Sequence, residues 1–210
     1  MGKTALIVQG GWEGHQPREV SEVLAQLLKS ADFAVEVADN LEVFSDAAHL
    51  KTYNLIVPHW TMGTISHPQL EGLVKAVQSG VGITGLHGGM GDAFRDAPEF
   101  QYMVGGQWVA HPGNDGVTYD VNITDKEHEI TAGIHDFTVT SEQYYMHVDP
   151  VNHVLATTQF GEVTMPVAWT KTYGQGRVFY CSLGHTDKVV KMPEVSQLML
   201  QGMVWAAAKD

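Results

Sequence analysis

The sequence predicts an α/β protein, a mainly parallel sheet with helices on both faces. Three observations predict it. Short apolar runs at residues 5–8, 55–57 and 81–86 read as buried strands, because a parallel sheet covered on both faces leaves no polar side. Between the runs, apolar residues recur at helical spacing. The resulting β-α-β-α-β-α-β order is that of crossover units, which lay their helices against a parallel sheet.

The first strand, Ala5-Leu6-Ile7-Val8, runs into Gln9-Gly10-Gly11-Trp12-Glu13-Gly14-His15-Gln16-Pro17. A helix follows, with Val20, Val23, Leu24, Leu27 and Leu28 on one face and Pro17 in its first turn. The loop has neither G-x-G-x-x-G nor a Walker lysine, so no nucleotide cofactor is expected. Phe33, Val35 and Val37 alternate as a second strand, and Ser45 is the expected cap of a short helix over residues 46–50. Leu55-Ile56-Val57 is a third strand, expected to end in a loop from Pro58 to Gly63. A helix from Pro68 carries Leu70, Leu73, Val74 and Val77 inward and stops at Gly80.

The fourth strand ends in Gly85-Leu86-His87-Gly88-Gly89. Glycines allow the positive φ of a sharp turn and let a ligand approach the backbone, so one side chain, His87, is held up at the strand's C-terminal edge. Ligands bind at that edge in open α/β sheets. Further on, a helix starts at Pro98 with Phe100, Met103 and Val104, and residues 105–113 are expected to be a loop bearing aromatics and His111. Strands are expected at Val117 to Ile123, from Phe137, at Val154 to Thr157, and on either side of the Tyr173-Gly174-Gln175-Gly176 turn. Trp169, inside one of these, reads as core. A last helix from Pro193 buries Val195, Leu198, Met199 and Met203. No linker or repeat interrupts residues 1–210, which read as one domain.

Hydrophobic content of 44% and charged content of 17% are those of an ordinary globular chain. A net charge of -12 argues against nucleic acid and against anionic membrane surfaces as partners. One cysteine, Cys181, excludes an intramolecular disulfide. The opening apolar run is too short for a signal peptide and no run could span a bilayer, so the expected location is cytoplasmic. A monomer and a homo-oligomer are equally compatible with the sequence.

If the sheet is parallel, residues far apart in sequence meet where its strands end. His15, His87, His111 and His185 each lie in a glycine or proline loop after an apolar segment, and Glu142 lies beside Tyr144 and Tyr145. His87, His111, Glu142 and His185 are the expected catalytic residues, since imidazoles and a carboxylate suit acid–base chemistry. The same four are the expected ligands of a divalent metal, zinc or similar, although no His-Glu-x-x-His or Cys-x-x-Cys is present. Trp12, His15, Trp60, Gln107, Trp108, Tyr144 and Tyr145 are expected to bind substrate. His59 and His147 are even between site and structure, and His49, His67, His128, His135 and His153 read as surface.

These motifs carry a resemblance. Gly85-Leu86-His87-Gly88-Gly89, Gly105-Gly106-Gln107-Trp108 with His111-Pro112, Ser141-Glu142-Gln143-Tyr144, Met165-Pro166-Val167-Ala168-Trp169, and Gly174 to Tyr180 with Gly184-His185 resemble the ThuA-like (trehalose utilisation) family. That family is a branch of the class I glutamine amidotransferase-like fold. The resemblance implies a flavodoxin-like, three-layer fold with a mainly parallel central sheet and an antiparallel extension. It also implies that His87 stands where amidotransferases carry a nucleophilic cysteine, while His185 matches their late histidine. Glutaminase activity is therefore not expected, because imidazole does not replace a thiolate as an acyl-transfer nucleophile. The implied ligand is a small-molecule carbohydrate: a disaccharide, glycoside or keto-sugar. The alternatives are a non-catalytic sugar-binding or regulatory protein, and a divergent hydrolase or amidotransferase using Cys181. The latter is disfavoured by the position of Cys181 inside a strand.

Overall fold

A computed structural model describes residues 2–208. The chain runs through β1 (Lys3–Gly11), α1 (Pro17–Ser30), β2 (Phe33–Ala38), α2 (Ala47–Leu50), β3 (Leu55–Thr61), α3 (His67–Gln78), β4 (Gly82–Leu86), α4 (His87–Gly91) and α5 (Pro98–Val104). It continues through β5 (Gly106–Ala110), β6 (Val117–Ile123), β7 (Phe137–Ser141), β8 (Tyr145–Val148), β9 (His153–Phe160), β10 (Val163–Tyr173), β11 (Gly176–Cys181), α6 (Asp187–Val190) and α7 (Pro193–Ala206). Among the described residues, nine strands form one sheet in the order β2-β1-β3-β4-β11-β10-β9-β6-β7. The first five are mutually parallel, and the other four continue it antiparallel. β5 and β8 pair separately, antiparallel, beside it.

The layers follow from strand alternation. On β1, Ala5 and Ile7 face one core with α1 and α7, while Leu6 and Val8 face the other with α3 and α5. A buried strand therefore needs apolar residues at every position, which is why residues 5–8 read as an unbroken run. A register irregularity on β10 between Pro166 and Trp169 puts Val167 and Ala168 in the same core and Trp169 in the opposite one. Trp169 is fully buried and donates its indole N–H to the Val104 carbonyl at 2.9 Å.

Three expectations need correction. Residues 58–61 are not a loop, since β3 runs to Thr61, paired with β1 as far as Gly11. Its ladder with β4 covers only Leu55 and Ile56, so the missing N–H of Pro58 costs no ladder bond on that side. Residues 106–110 are a strand, because β8 supplies a partner too irregular in sequence to foresee. Asp46 caps α2, accepting from the His49 amide at 3.0 Å, so the cap falls one residue after Ser45. No helix among the described residues is long and apolar enough to cross a membrane.

One buried cation ties the extension to the helices. The Lys171 ammonium on β10 donates to the Tyr102 carbonyl and to Asp149 Oδ2 (2.8 Å), and lies 4.0 Å from the Tyr102 ring centroid. Its hydrogen bond holds the Asp149 carboxyl below its ordinary pKa. Lys171→Met should lower stability by about 1–3 kcal/mol, the scale of charge-assisted hydrogen bonds lost at a buried site. Because the Asp149 pKa is depressed in the fold, its contribution is present above the unfolded value of about 3.9 and is lost as pH falls through the folded value. Urea titrations of the two proteins should therefore differ most at neutral pH and converge in acid.

Candidate active site

Four strand exits build the site. β1 ends in Gly10 and Gly11 and delivers His15, β4 delivers His87, and β11 leads through Ser182 and Gly184 to His185. Glu142 follows β7, from the antiparallel side. One donor atom from each of His15, His87, Glu142 and His185 can be chosen so that all lie within 4.8 Å of one another. Glu142 Oε2 is the hub: His87 Nε2 is at 3.1 Å, His185 Nδ1 at 3.5 Å and His15 Nε2 at 3.8 Å. His111 Nδ1 approaches the other oxygen, Oε1, at 3.7 Å.

His87 sits at the turn with φ of 47°, a left-handed conformation that costs a non-glycine residue about 1–3 kcal/mol. β11 holds it there. His87 Nδ1 donates to the Ser182 carbonyl at 2.8 Å, and the Tyr180 hydroxyl donates to the His87 carbonyl at 2.9 Å. A carbonyl only accepts, so Nδ1 carries the proton and a neutral His87 presents a bare Nε2 lone pair to Glu142. Both contacts are hydrogen bonds together only for an imidazolium, and burial lowers the His87 pKa to about 4 despite the Glu142 carboxylate. For Glu142, burial alone would raise the pKa. Hydrogen bonding from His15, His185 and His87 outweighs it and holds the carboxyl well below the usual range. His87 Nε2 and Glu142 Oε2 thus converge at 3.1 Å as two potential acceptors, which a proton or a metal cation between them would satisfy.

The surrounding residues fix the ligand-type atoms. His15 Nδ1 is 2.8 Å from the Thr61 hydroxyl, and the Tyr119 hydroxyl donates to the Glu142 carbonyl at 3.0 Å. Tyr144 stacks on His87 with centroids 4.1 Å apart. Beneath the turn, His59 is buried with neither ring nitrogen partnered, and burial lowers its pKa to about 3. It shares a face of β3 with Thr61. The two glycines of the turn make room for these rings: a Cβ on Gly88 would meet the His15 ring at 2.5 Å, and one on Gly89 would meet His59 Nδ1 at 2.1 Å.

The predicted residues divide. His15, expected to contact substrate, is in the cluster itself, whereas His111 stands just outside the four-residue set. Trp12, half exposed, lies edge-on to His15 at 4.8 Å, and Trp108 lies 5.3 Å from His111. Trp60 is turned to the opposite face of β3, over Gly10 and Gly63. Tyr145 packs on Phe160, since neighbours on a strand point to opposite sides. Gln107 borders a recess of about 130 Å³ with Asp92 and Arg95, and the Arg95 guanidinium covers the Trp108 ring at 4.7 Å. His147 is exposed, as are His49, His67, His135 and His153, while His128 is half-buried. Thr61, Ser182 and Tyr180 went unforeseen, for hydroxyls and carbonyls at strand ends have no sequence signature.

Cys181 is fully buried in β11, and burial pushes its thiol up to about 12. Iodoacetamide should therefore leave the native protein unmodified and label it only in denaturant, as mass spectrometry would read. Gly89→Ala should cost about 1–3 kcal/mol in urea unfolding, the range for overpacking a rigid site. The more exposed Gly161, with nothing within 4 Å of its added Cβ, has open space for a side chain but a φ of 58°, so its Ala variant should show only backbone strain.

The family model for trehalose utilisation (ThuA) matches residues 4–206. No curated protein matches significantly. Among solved structures, a ThuA-like protein from Parabacteroides merdae superposes with a TM-score of 0.81 at 21% identity, over 99% of this chain and 91% of that one. Another from Bacteroides uniformis gives 0.81 at 19%, over 99% and 92%. A cytoplasmic protein from Salmonella typhimurium gives 0.72 at 14%, over 99% and 100%. The structural likenesses establish a shared fold, and the family match across nearly the whole chain establishes the rest: this protein belongs to the ThuA, or trehalose utilisation, family.

Proposed function

We propose that the protein is a carbohydrate-directed enzyme that holds one divalent cation at His15, His87, Glu142 and His185, with His111 as its acid–base group. The observation that carries this is the convergence of one ligand-type atom each from His15, His87, Glu142 and His185 within 4.8 Å of one another. A divalent cation suits such a set, and nitrogen donors with one carboxylate favour zinc or a similar ion over calcium or magnesium. The second ring nitrogens support the same reading: those of His87 and His15 are held by the Ser182 carbonyl and the Thr61 hydroxyl, the outer contacts that orient metal-binding imidazoles. When bound, the cation would supply Lewis-acid polarisation of a substrate oxygen.

The chain's own residues would do the rest. His111 is the most exposed histidine of the group, with 28% of its side chain accessible, and its Nδ1 has no hydrogen-bond partner. Its accessible edge would take or give a proton at the mouth of the site, while Nδ1 itself is enclosed beside Glu142. Trp12 offers an exposed ring beside His15 on which a sugar ring can stack. Cys181 is excluded as a nucleophile by its burial. A non-catalytic sugar binder would use the same aromatics but would not require His111.

Elemental analysis of protein incubated with zinc and dialysed should give one ion per chain. Zinc in hundredfold excess over its dissociation constant should raise stability by about 2.7 kcal/mol. His87→Ala and Glu142→Ala should abolish both effects and any turnover in a screen of trehalose, keto-disaccharides and simple glycosides. His111→Ala should keep the ion and lose turnover, and Cys181→Ser should keep both. Wild-type protein without zinc, manganese or nickel after dialysis would defeat the proposal.

A further inference from the structure

At the same edge of the sheet, a second cleft of about 290 Å³ opens among the exits of β1, β2 and β3. Strand order reverses at β1, which has β2 on one side and β3 on the other, with α1 packed on one face and α2 on the other. Ligands of open α/β sheets bind at such a reversal. The side chains of Gln9, Glu13, Arg18, Asp39 and Trp60 line the cleft. The Trp60 ring is fixed there: a Cβ on Gly10 would meet it at 2.4 Å, and one on Gly63 would meet its Nε1 at 2.7 Å, so both positions are shaped to the indole. A fixed, half-buried indole is a stacking surface that costs little ordering to use. Around it, the side chains of Gln9, Glu13, Arg18 and Asp39 have no hydrogen-bond or ion-pair partner among the described residues.

Charge decides the ligand class. Two carboxylates against one guanidinium leave the cleft net negative, and Pro17 removes one of the amides that a helix start turns to a phosphate. A neutral ring bearing vicinal hydroxyls fits instead. Its face would lie on the indole, its hydroxyls would donate to Asp39 and Glu13, and its oxygens would accept from Arg18 and Gln9. Asp39, just past β2, stands where a carboxylate takes a ribose hydroxyl in dinucleotide folds. We infer, on the carbohydrate-directed reading above, that this cleft is a second sugar subsite, holding the unreacting ring of a disaccharide whose other ring is handled at the cluster. Cleft and cluster share a wall. Glu13 lines the cleft, and His15, two residues on in the same turn of 3-10 helix, belongs to the cluster. Two such residues rise about 4 Å. Trp12, half exposed, precedes that turn and lies edge-on to His15.

The test follows the tryptophan indole N–H signals of the full chain by heteronuclear NMR, with Trp60 and Trp12 assigned through their phenylalanine variants. Trehalose and glucose should shift the Trp60 signal, and a phosphate ester of glucose should bind there more weakly than glucose. Asp39→Ala changes an exposed residue that holds nothing else in place. It should weaken the Trp60 response about tenfold, the loss of one hydrogen bond to a charged group, and leave zinc uptake unchanged. A Trp60 signal that stays still while sugar shifts Trp12 would overturn the subsite and leave the carbohydrate reading standing. An Asp39→Ala protein that responds as the wild type does would overturn it too. So would a Trp60 response to adenosine without one to glucose, since the diol would then be a nucleoside's. Sugars that shift no indole signal at all would overturn both the subsite and the carbohydrate reading.

Discussion

A carboxylate withdrawn from water has to be compensated, and the architecture around Glu142 is organised by that requirement. Its Oε2 is approached by three imidazoles from three different strand exits, and its Oε1 by a fourth from β5. None of these contacts is local in sequence. Each depends on the parallel strands ending at one edge, and on the antiparallel extension curving back far enough to bring residue 142 over that edge. The extension is thus part of the candidate site, and Lys171 ties it to α5.

The second constraint is spatial. Two imidazoles, His15 and His59, lie directly beneath the first turn of α4, and a side chain on Gly88 or Gly89 would occupy their place. The glycines that follow His87 serve close approach of these rings to the backbone, since neither has a positive φ. The left-handed residue is His87 itself. Strain is stored at a residue whose side chain points at Glu142, and it is held there by hydrogen bonds with Tyr180 and Ser182.

How much of this could be read from the sequence depends on how local each signal is. The parallel half was legible because its strands are buried on both faces and so appear as unbroken apolar runs separated by helical periodicity. β5 was not, since its residues are half-buried and its partner among the described residues, β8, is four residues long and offset by a register irregularity. That His87, His185, His111 and Glu142 converge was legible from glycine, proline and aromatic contexts at element ends. The rank of His15 was not, because nothing in Gly14-His15-Gln16 distinguishes a ring that faces Glu142 from one that greets a substrate. Trp60 and Tyr145 show the limit of composition: an aromatic at a strand end faces the site or its back according to a one-residue step in the pleat.

The placement of His87 bears on how an amidotransferase-like scaffold can acquire different chemistry. The turn after β4 presents one side chain at the sheet's edge whatever that residue is. A thiol there needs a neighbouring imidazole to become nucleophilic. An imidazole there, with its Nδ1 proton committed to the Ser182 carbonyl, is left with a single outward lone pair, and it meets a carboxylate. Two acceptors facing each other in a buried space form no stable pair by themselves, and the neutral tautomer cannot relieve the conflict by turning, because Ser182 holds the other nitrogen. A proton or a metal cation between them would satisfy both. The residue at the elbow thus sets what chemistry the turn can offer, here a ring nitrogen opposite Glu142, which arrives from the extension.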